Sequence, residues 1–211
     1  MPELPEVETV RRSLMPLVRG YTIKKAEIFY PNMVRDMSLD AFKRSVEGKK
    51  ITGIERKGKH LLFNLGEEWM LVHLRMEGKF LIKPEDSLKE KHEHARFILD
   101  DGRMLIYHDV RKFGTLRIRT KTTLYATPPL STLGPEPLDE RFTAEGIEGR
   151  LGTTRSIKAA LLDQTTVSGI GNIYADEILF CARLHPAVAA GKVKRPTLNR
   201  IIRCARSIMK D

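Results

Sequence analysis

Cysteine is nearly missing from this chain: Cys181 and Cys204 are the only two in 211 residues. With no secretory signal peptide ahead of them, a disulfide framework is not expected, and the pair suits a reducing cytoplasm. Neither cysteine stands in a Cys-x-x-Cys pair, and two fall short of a four-cysteine zinc site, so no metal or other cofactor is expected. No apolar run reaches membrane-spanning length and no basic amphipathic anchor opens the chain, which excludes a membrane partner at this level. Internal repeats and low-complexity tracts are absent as well. Acidic residues are in deficit: 37 Lys and Arg face 27 Asp and Glu, for a formal charge of +10 and a pI near 9.7. An anionic partner follows, nucleic acid first, with an ordinary basic protein as the plainer alternative.

Hydrophobic residues, at 41%, are sufficient for the cores of one large domain or two small ones. Val7, Val10, Leu14, Leu17 and Val18 share a helical face, so a helix is expected from about Pro5 to Val18, stopping before Gly20. Short strand-like segments follow: 23–30, 51–56, 60–65, 70–74, 79–82, 95–99, 104–107 and 115–119, broken by Gly, Asp and Pro. They predict a sandwich or barrel-like domain. The proline-rich stretch 131–137 can neither continue a helix nor enter a central strand, and it reads as a linker between a first domain over 1–130 and a second over 138–211. Helices are expected over 156–163, 172–183 and 196–209. The fold class is therefore α+β, a β-sandwich domain led by a helix and followed by an α-helical domain.

Five groups of residues bear on chemistry. Pro2, once Met1 is removed, presents a secondary amine beside the Glu3 carboxyl. An α-amine has an ordinary pKa of about 7.7–8.0, so part of it is neutral and nucleophilic at physiological pH. Condensed with a sugar aldehyde carbon, a secondary amine gives an iminium that keeps its charge and draws electrons, while Glu3 donates a proton. The plainer reading makes Pro2, Pro5, Glu6 and Glu8 a helix start. Lys59 stands at the mouth of an apolar strand, where a solvated lysine is the ordinary reading. Met76, Arg111 and Phe113 lie at predicted strand ends, where the plain reading puts the Met and the Phe in the core; alternatively the three supply apolar wedges and planar donors to fill the hole left by an extruded base. His92-Glu93-His94 lacks a third ligand, so metal is rejected there. Finally, Lys158 precedes the glycine-rich turn Gly169-Ile170-Gly171-Asn172, whose backbone can approach a phosphate at a helix start. The basic tail, with no acid between Gly191 and Lys210, adds either a solvated face or nonspecific DNA attraction.

The octet Met1-Pro2-Glu3-Leu4-Pro5-Glu6-Val7-Glu8, continuing into Thr9-Val10-Arg11-Arg12, resembles the amino terminus of bacterial formamidopyrimidine-DNA glycosylases. The string from Ser156 to Glu177 resembles their helix-two-turns-helix, and the likeness runs through essentially the whole chain. It implies a base-excision-repair glycosylase and lyase acting as a monomer near bacterial nucleoid DNA. Its substrate would be duplex DNA carrying an oxidised purine, such as 8-oxoguanine or a formamidopyrimidine, or an abasic site, bent across a cleft between the domains. By the same resemblance Pro2 is the nucleophile, Glu3 the acid and Lys59 an active-site lysine. His92, Arg111, Lys158 and Asn172 contact DNA, with His73 near that face, and Met76, Arg111 and Phe113 fill the void. The family's phosphate-contacting lysine ahead of the helix is replaced here by Thr153. The family also continues into a four-cysteine zinc finger, which this sequence does not reach. The expectation is an intact chemical centre with a weakened grip on DNA, the alternative being a catalytically silent DNA-binding remnant.

Overall fold

A computed structural model describes residues 1–210 and resolves two compact units. The first comprises Met1–Pro2 and Glu6–Ala126, and the second Glu3–Pro5 and everything from Thr127 onward. Three residues of the amino terminus thus belong with the helical half of the chain.

Helix α1 (Leu4–Val18) belongs to the first unit from Glu6 onward and closes at Gly20 in a left-handed conformation. Val7, Leu14 and Val18 are buried along its inner face, but Leu17, expected with them, is 41% exposed. Glu8 ties α1 down by accepting from Arg11, Arg12 and, across to strand β2, from Arg56. The strands are β1 (Ile23–Ile28), β2 (Gly53–Lys57), β3 (His60–Asn64), β4 (Glu68–His73), β5 (Lys79–Pro84), β6 (Glu93–Leu99), β7 (Arg103–His108) and β8 (Thr115–Thr120). They form two four-stranded antiparallel sheets in the orders β1-β6-β7-β5 and β2-β3-β4-β8. Alternate residues turn inward, so Phe97, Leu105 and Tyr107 of one sheet share a core with Leu61, Phe63, Met70, Val72 and Leu116 of the other. A short helix α2 (Leu39–Val46), capped by the Ser38 hydroxyl on the Ala41 N–H, buries Phe42 and Val46 in that core. The sequence reading contained no α2: eight residues are too few for a clear helical period.

The second unit contains α3 (Ala144–Glu148), α4 (Ile157–Leu162), α5 (Asn172–Cys181) and α6 (Arg195–Ile208). Leu4, Ile157, Leu161, Ile170, Ile178, Leu198, Ile201 and Ala205 build its core. The proline-rich stretch is tied into this unit: the Gly134 N–H donates to the Gln164 carbonyl, and Ser168 donates to the carbonyls of Pro135 and Gly134. Arg155 staples the connecting segments, donating to the Leu151 carbonyl, the Asp163 carboxylate and the Thr166 hydroxyl. The expectation of unbridged cysteines is corrected here. Cys181 closes α5 and Cys204 lies on the facing side of α6, and the packing of these helices brings the Cα atoms to 6.0 Å in a disulfide. Sequence spacing alone does not reveal that juxtaposition. Among the described residues no helix is long and apolar enough to cross a membrane.

Candidate active site and nucleic-acid interface

In the second unit, the main feature is a carboxylate gripped by backbone. Glu3 is only 3% exposed, and its oxygens accept the N–H groups of Gly171 (2.6 Å), Ile173 (2.9 Å) and Tyr174 (3.3 Å) at the start of α5. A helix start leaves its first N–H groups without intrahelical partners, and here a side chain from the chain's beginning satisfies them. The Leu4 N–H adds a bond to the Gly169 carbonyl. This contact also explains the glycines. A Cβ on Gly171 would overlap the Glu3 carboxyl, and one on Gly169, which has φ +98°, would overlap the Leu4 side chain. The turn is glycine-rich because it seats the amino terminus, a reason the sequence reading, which pointed to phosphate approach, did not contain. Pro2 is peptide-bonded to Glu3, so the candidate nucleophile is tethered directly to this fixed acid.

The remaining candidates of the second unit lie on α4 and α5. Asn172 is the exposed first residue of α5. Lys158, in the first turn of α4, is not a freely solvated cation: both oxygens of Asp176 hold its ammonium, at 2.8 and 2.9 Å. In the basic tail, Arg195 pairs with Glu148 at 2.8 Å, and Arg206 donates to the carbonyls of Asp139 and Phe142. Part of that charge therefore serves the fold.

In the first unit, Lys57 pairs with His60 across a two-residue hairpin turn, with Gly58 at φ 56° in the first turn position and Lys59 in the second. Lys59 is only 4% exposed. His60 and His73 are cross-strand partners stacked edge to face, ring centroids 4.7 Å apart. Burial lowers both, His73 to about 2 and His60 to about 4, with the neighbouring Arg75 cation adding to the effect on each. His73 is neutral, and its Nδ1 accepts the Arg75 N–H at 3.0 Å, which leaves Nε2–H as its donor. It therefore carries a hydrogen-bond donor and no positive charge.

Two loops of this unit present exposed side chains on strained backbone. Met76 is 41% exposed and Phe113 49%, both large apolar groups at loop tips. Arg75, His92 and Lys112 each have positive φ, at 57°, 72° and 58°, where side chains other than glycine are uncommon. Such residues cluster where function requires them. The Arg111 guanidinium lies 4.8 Å from the centre of the Phe113 ring. His92 faces His108, and its carbonyl accepts the Asp109 N–H. Asp109 and Tyr107, to which the sequence assigns no role, anchor the Arg111 loop. The signal for Asp109 was the Asp109-Val110-Arg111-Lys112-Phe113-Gly114 string itself, in which an acid precedes a tight turn.

Comparison with known proteins gives this geometry its context. Residues 1–116 match the formamidopyrimidine-DNA glycosylase N-terminal domain, and residues 133–211 the formamidopyrimidine-DNA glycosylase H2TH domain. The formamidopyrimidine-DNA glycosylases of Exiguobacterium sibiricum and Bacillus subtilis are each 47% identical over 203 residues, 95% of this chain and 74% of theirs. The chain belongs to the formamidopyrimidine-DNA glycosylase family. Its family is one of DNA glycosylases and abasic-site lyases of base excision repair. Among solved structures, the Lactococcus lactis formamidopyrimidine-DNA glycosylase bound non-covalently to DNA containing an abasic site superposes with a TM-score of 0.93 at 38% identity, covering 99% of this chain and 80% of that one. The Lactococcus lactis T221P variant with DNA containing a formamidopyrimidine lesion gives the same TM-score. Among the described residues the two cysteines bond each other, and no three His, Cys, Asp or Glu are grouped to hold a metal ion.

Proposed function

We propose that this glycosylase removes oxidised purines, 8-oxoguanine and formamidopyrimidines, from duplex DNA through a covalent intermediate on Pro2. The observation that carries the reading is the Glu3 carboxyl, buried and fixed by three backbone N–H groups immediately beside the candidate amine. A catalytic acid must be positioned before its proton is of use, and a group so held loses little freedom on reaction.

After removal of Met1, the Pro2 nitrogen attacks C1′ of the flipped nucleotide and the base leaves from that carbon. The proton that Pro2 loses goes to the departing base, and Glu3 protonates the sugar ring oxygen as the ring opens to the cationic iminium. Loss of a C2′ proton then sends electrons toward the iminium and expels the 3′ phosphate. Lys59 assists proton transfer near the phosphate. His92, Arg111, Lys158, Asn172 and His73 hold the DNA backbone and the partner base, while Met76, Arg111 and Phe113 fill the vacated space. These steps draw on amine, carboxyl and backbone groups of this chain, with duplex DNA as the partner and no metal or cofactor called upon.

Borohydride trapping tests the reading, since reduction of an iminium joins protein to DNA. The wild-type protein, shown by intact mass to lack Met1, gives a stable adduct with an 8-oxoguanine duplex at low salt. Pro2→Gly, which keeps a primary amine, gives less, and Glu3→Gln gives little. Duplex binding without any adduct from correctly processed protein would instead make the chain a silent DNA-binding remnant. A preference for structured RNA over lesion duplex would reject both readings.

A further inference from the structure

Asp109 is wholly buried, yet it is absent from every catalytic step. Its Oδ1 accepts the Arg111 N–H at 3.0 Å, and its Oδ2 accepts the N–H groups of Phe113 and Gly114, each at 2.9 Å. The Tyr107 hydroxyl donates to the same Oδ2 at 3.4 Å. Through its main chain, Asp109 donates to the His92 carbonyl at 3.0 Å and accepts from His94 Nε2 at 2.7 Å. One residue therefore ties together the His92 turn and the loop bearing Arg111 and Phe113. The bonds to Arg111 and Phe113 bracket Lys112, whose left-handed backbone persists only where its surroundings over-determine it.

Tyr107 extends the same anchor to the other loop. It is 1% exposed, packed edge to face on Phe80, and its hydroxyl fits between Gly78 and Gly114. A Cβ on either glycine would overlap that hydroxyl. Gly78 lies two residues past Met76 and donates to the Leu74 carbonyl, so the Met76 loop closes directly on Tyr107. Burial keeps the phenol protonated, as a donor to Asp109 must be.

We propose that Asp109, backed by Tyr107, is a positioning residue that holds the Met76 loop and the Arg111–Phe113 loop in one fixed arrangement, so that their side chains enter the vacated base position together. This rests on the reading of Met76, Arg111 and Phe113 as void-filling residues. The carboxylate is specifically required because every group it meets here is a donor. Asp109→Asn keeps the volume but turns one acceptor into an N–H₂ that opposes a backbone N–H.

The test compares two rates in one duplex sequence: single-turnover excision of 8-oxoguanine, which requires extrusion, and strand cleavage at a preformed abasic site, where no base has to leave the stack. A 2-aminopurine beside the lesion reports unstacking. In Asp109→Asn the excision-to-cleavage ratio falls at least about tenfold and the 2-aminopurine signal on binding is lost. Tyr107→Phe, which keeps the three N–H bonds, lowers the ratio about threefold and supplies the answer if Asp109→Asn fails to fold. Equal losses in both rates, or an unchanged ratio, overturn the proposal. Phe113→Ala separates the two levels: if it leaves ratio and fluorescence unchanged, the void-filling reading falls and the proposal with it. If it shifts both while the Asp109 and Tyr107 variants do not, the proposal alone fails.

Discussion

Glu3 and Asp109 are the same device built from different distances. Each is a buried carboxylate that accepts three backbone N–H groups, but the donors to Asp109 lie two to five residues away, whereas those to Glu3 lie 168 to 171 residues away. The local version fixes the shape of a loop within the β-rich unit. The long-range version brings a chain terminus into the helical unit and completes a helix start that would otherwise lack partners. Losing Asp109 loosens the neighbouring loops it anchors within the β-rich unit; losing the Glu3 contact releases the amino terminus.

The sharpest way to break the long-range device is Gly171→Ala, since the new methyl occupies the place of the Glu3 carboxyl. Single-turnover excision falls on the order of 100-fold, a loss expected when a reacting group is displaced by about 1 Å. The counterpart in the local device is Gly114→Ala, which forces the methyl against Tyr107. Urea denaturation shows a loss of about 1–3 kcal/mol, the range for an overfilled core.

Two further substitutions probe charge at the edges of these units. Glu8, lowered to about 2 chiefly by its hydrogen bond from Arg11, stabilises the first unit in full above its ordinary value of 4.5 and loses that effect as pH falls toward 2. Glu8→Gln therefore costs on the order of 1 kcal/mol near neutrality, since solvent screens much of the interaction, and the difference from wild type in urea titrations closes between pH 4.5 and 2. His60 works in the same direction over a higher range: the unfolded chain takes up a proton below about 6.5 that the buried imidazole refuses down to about 4. The smallest effect concerns Lys158. Replacing its partner, Asp176→Asn, tightens binding to undamaged duplex about threefold at low salt. It also steepens the logarithmic salt dependence by about 0.9, the contribution of one phosphate contact.

The comparison also explains what could be read in advance. All eight strands and four of the six helices were legible, because alternating and helical apolar spacing records which face is buried. Helices α2 and α3 were not, being short and fixed by caps and tertiary packing. Leu17 fits the helical period of α1 yet ends exposed beside an apolar groove of about 340 Å³, since periodicity marks a face but not how far the core reaches along it. The motifs of the site were visible as residue strings, whereas their reasons were not. Gly171 looked like a phosphate cradle until the Glu3 side chain was seen to fill the space beside it. Asp176 beside Lys158, Tyr107 beneath Gly114, and Cys181 against Cys204 are contacts across elements, and no local pattern encodes them.

The most direct measurement is to locate the covalent bond itself. Protein carrying an intact Cys181–Cys204 bridge and lacking Met1 is reacted with an 8-oxoguanine duplex, reduced with borohydride, digested and sequenced by mass spectrometry. The account predicts a deoxyribose remnant on the nitrogen of Pro2, in the peptide that carries Glu3. A remnant on Lys59 or any other lysine, with Pro2 unmodified, would contradict it.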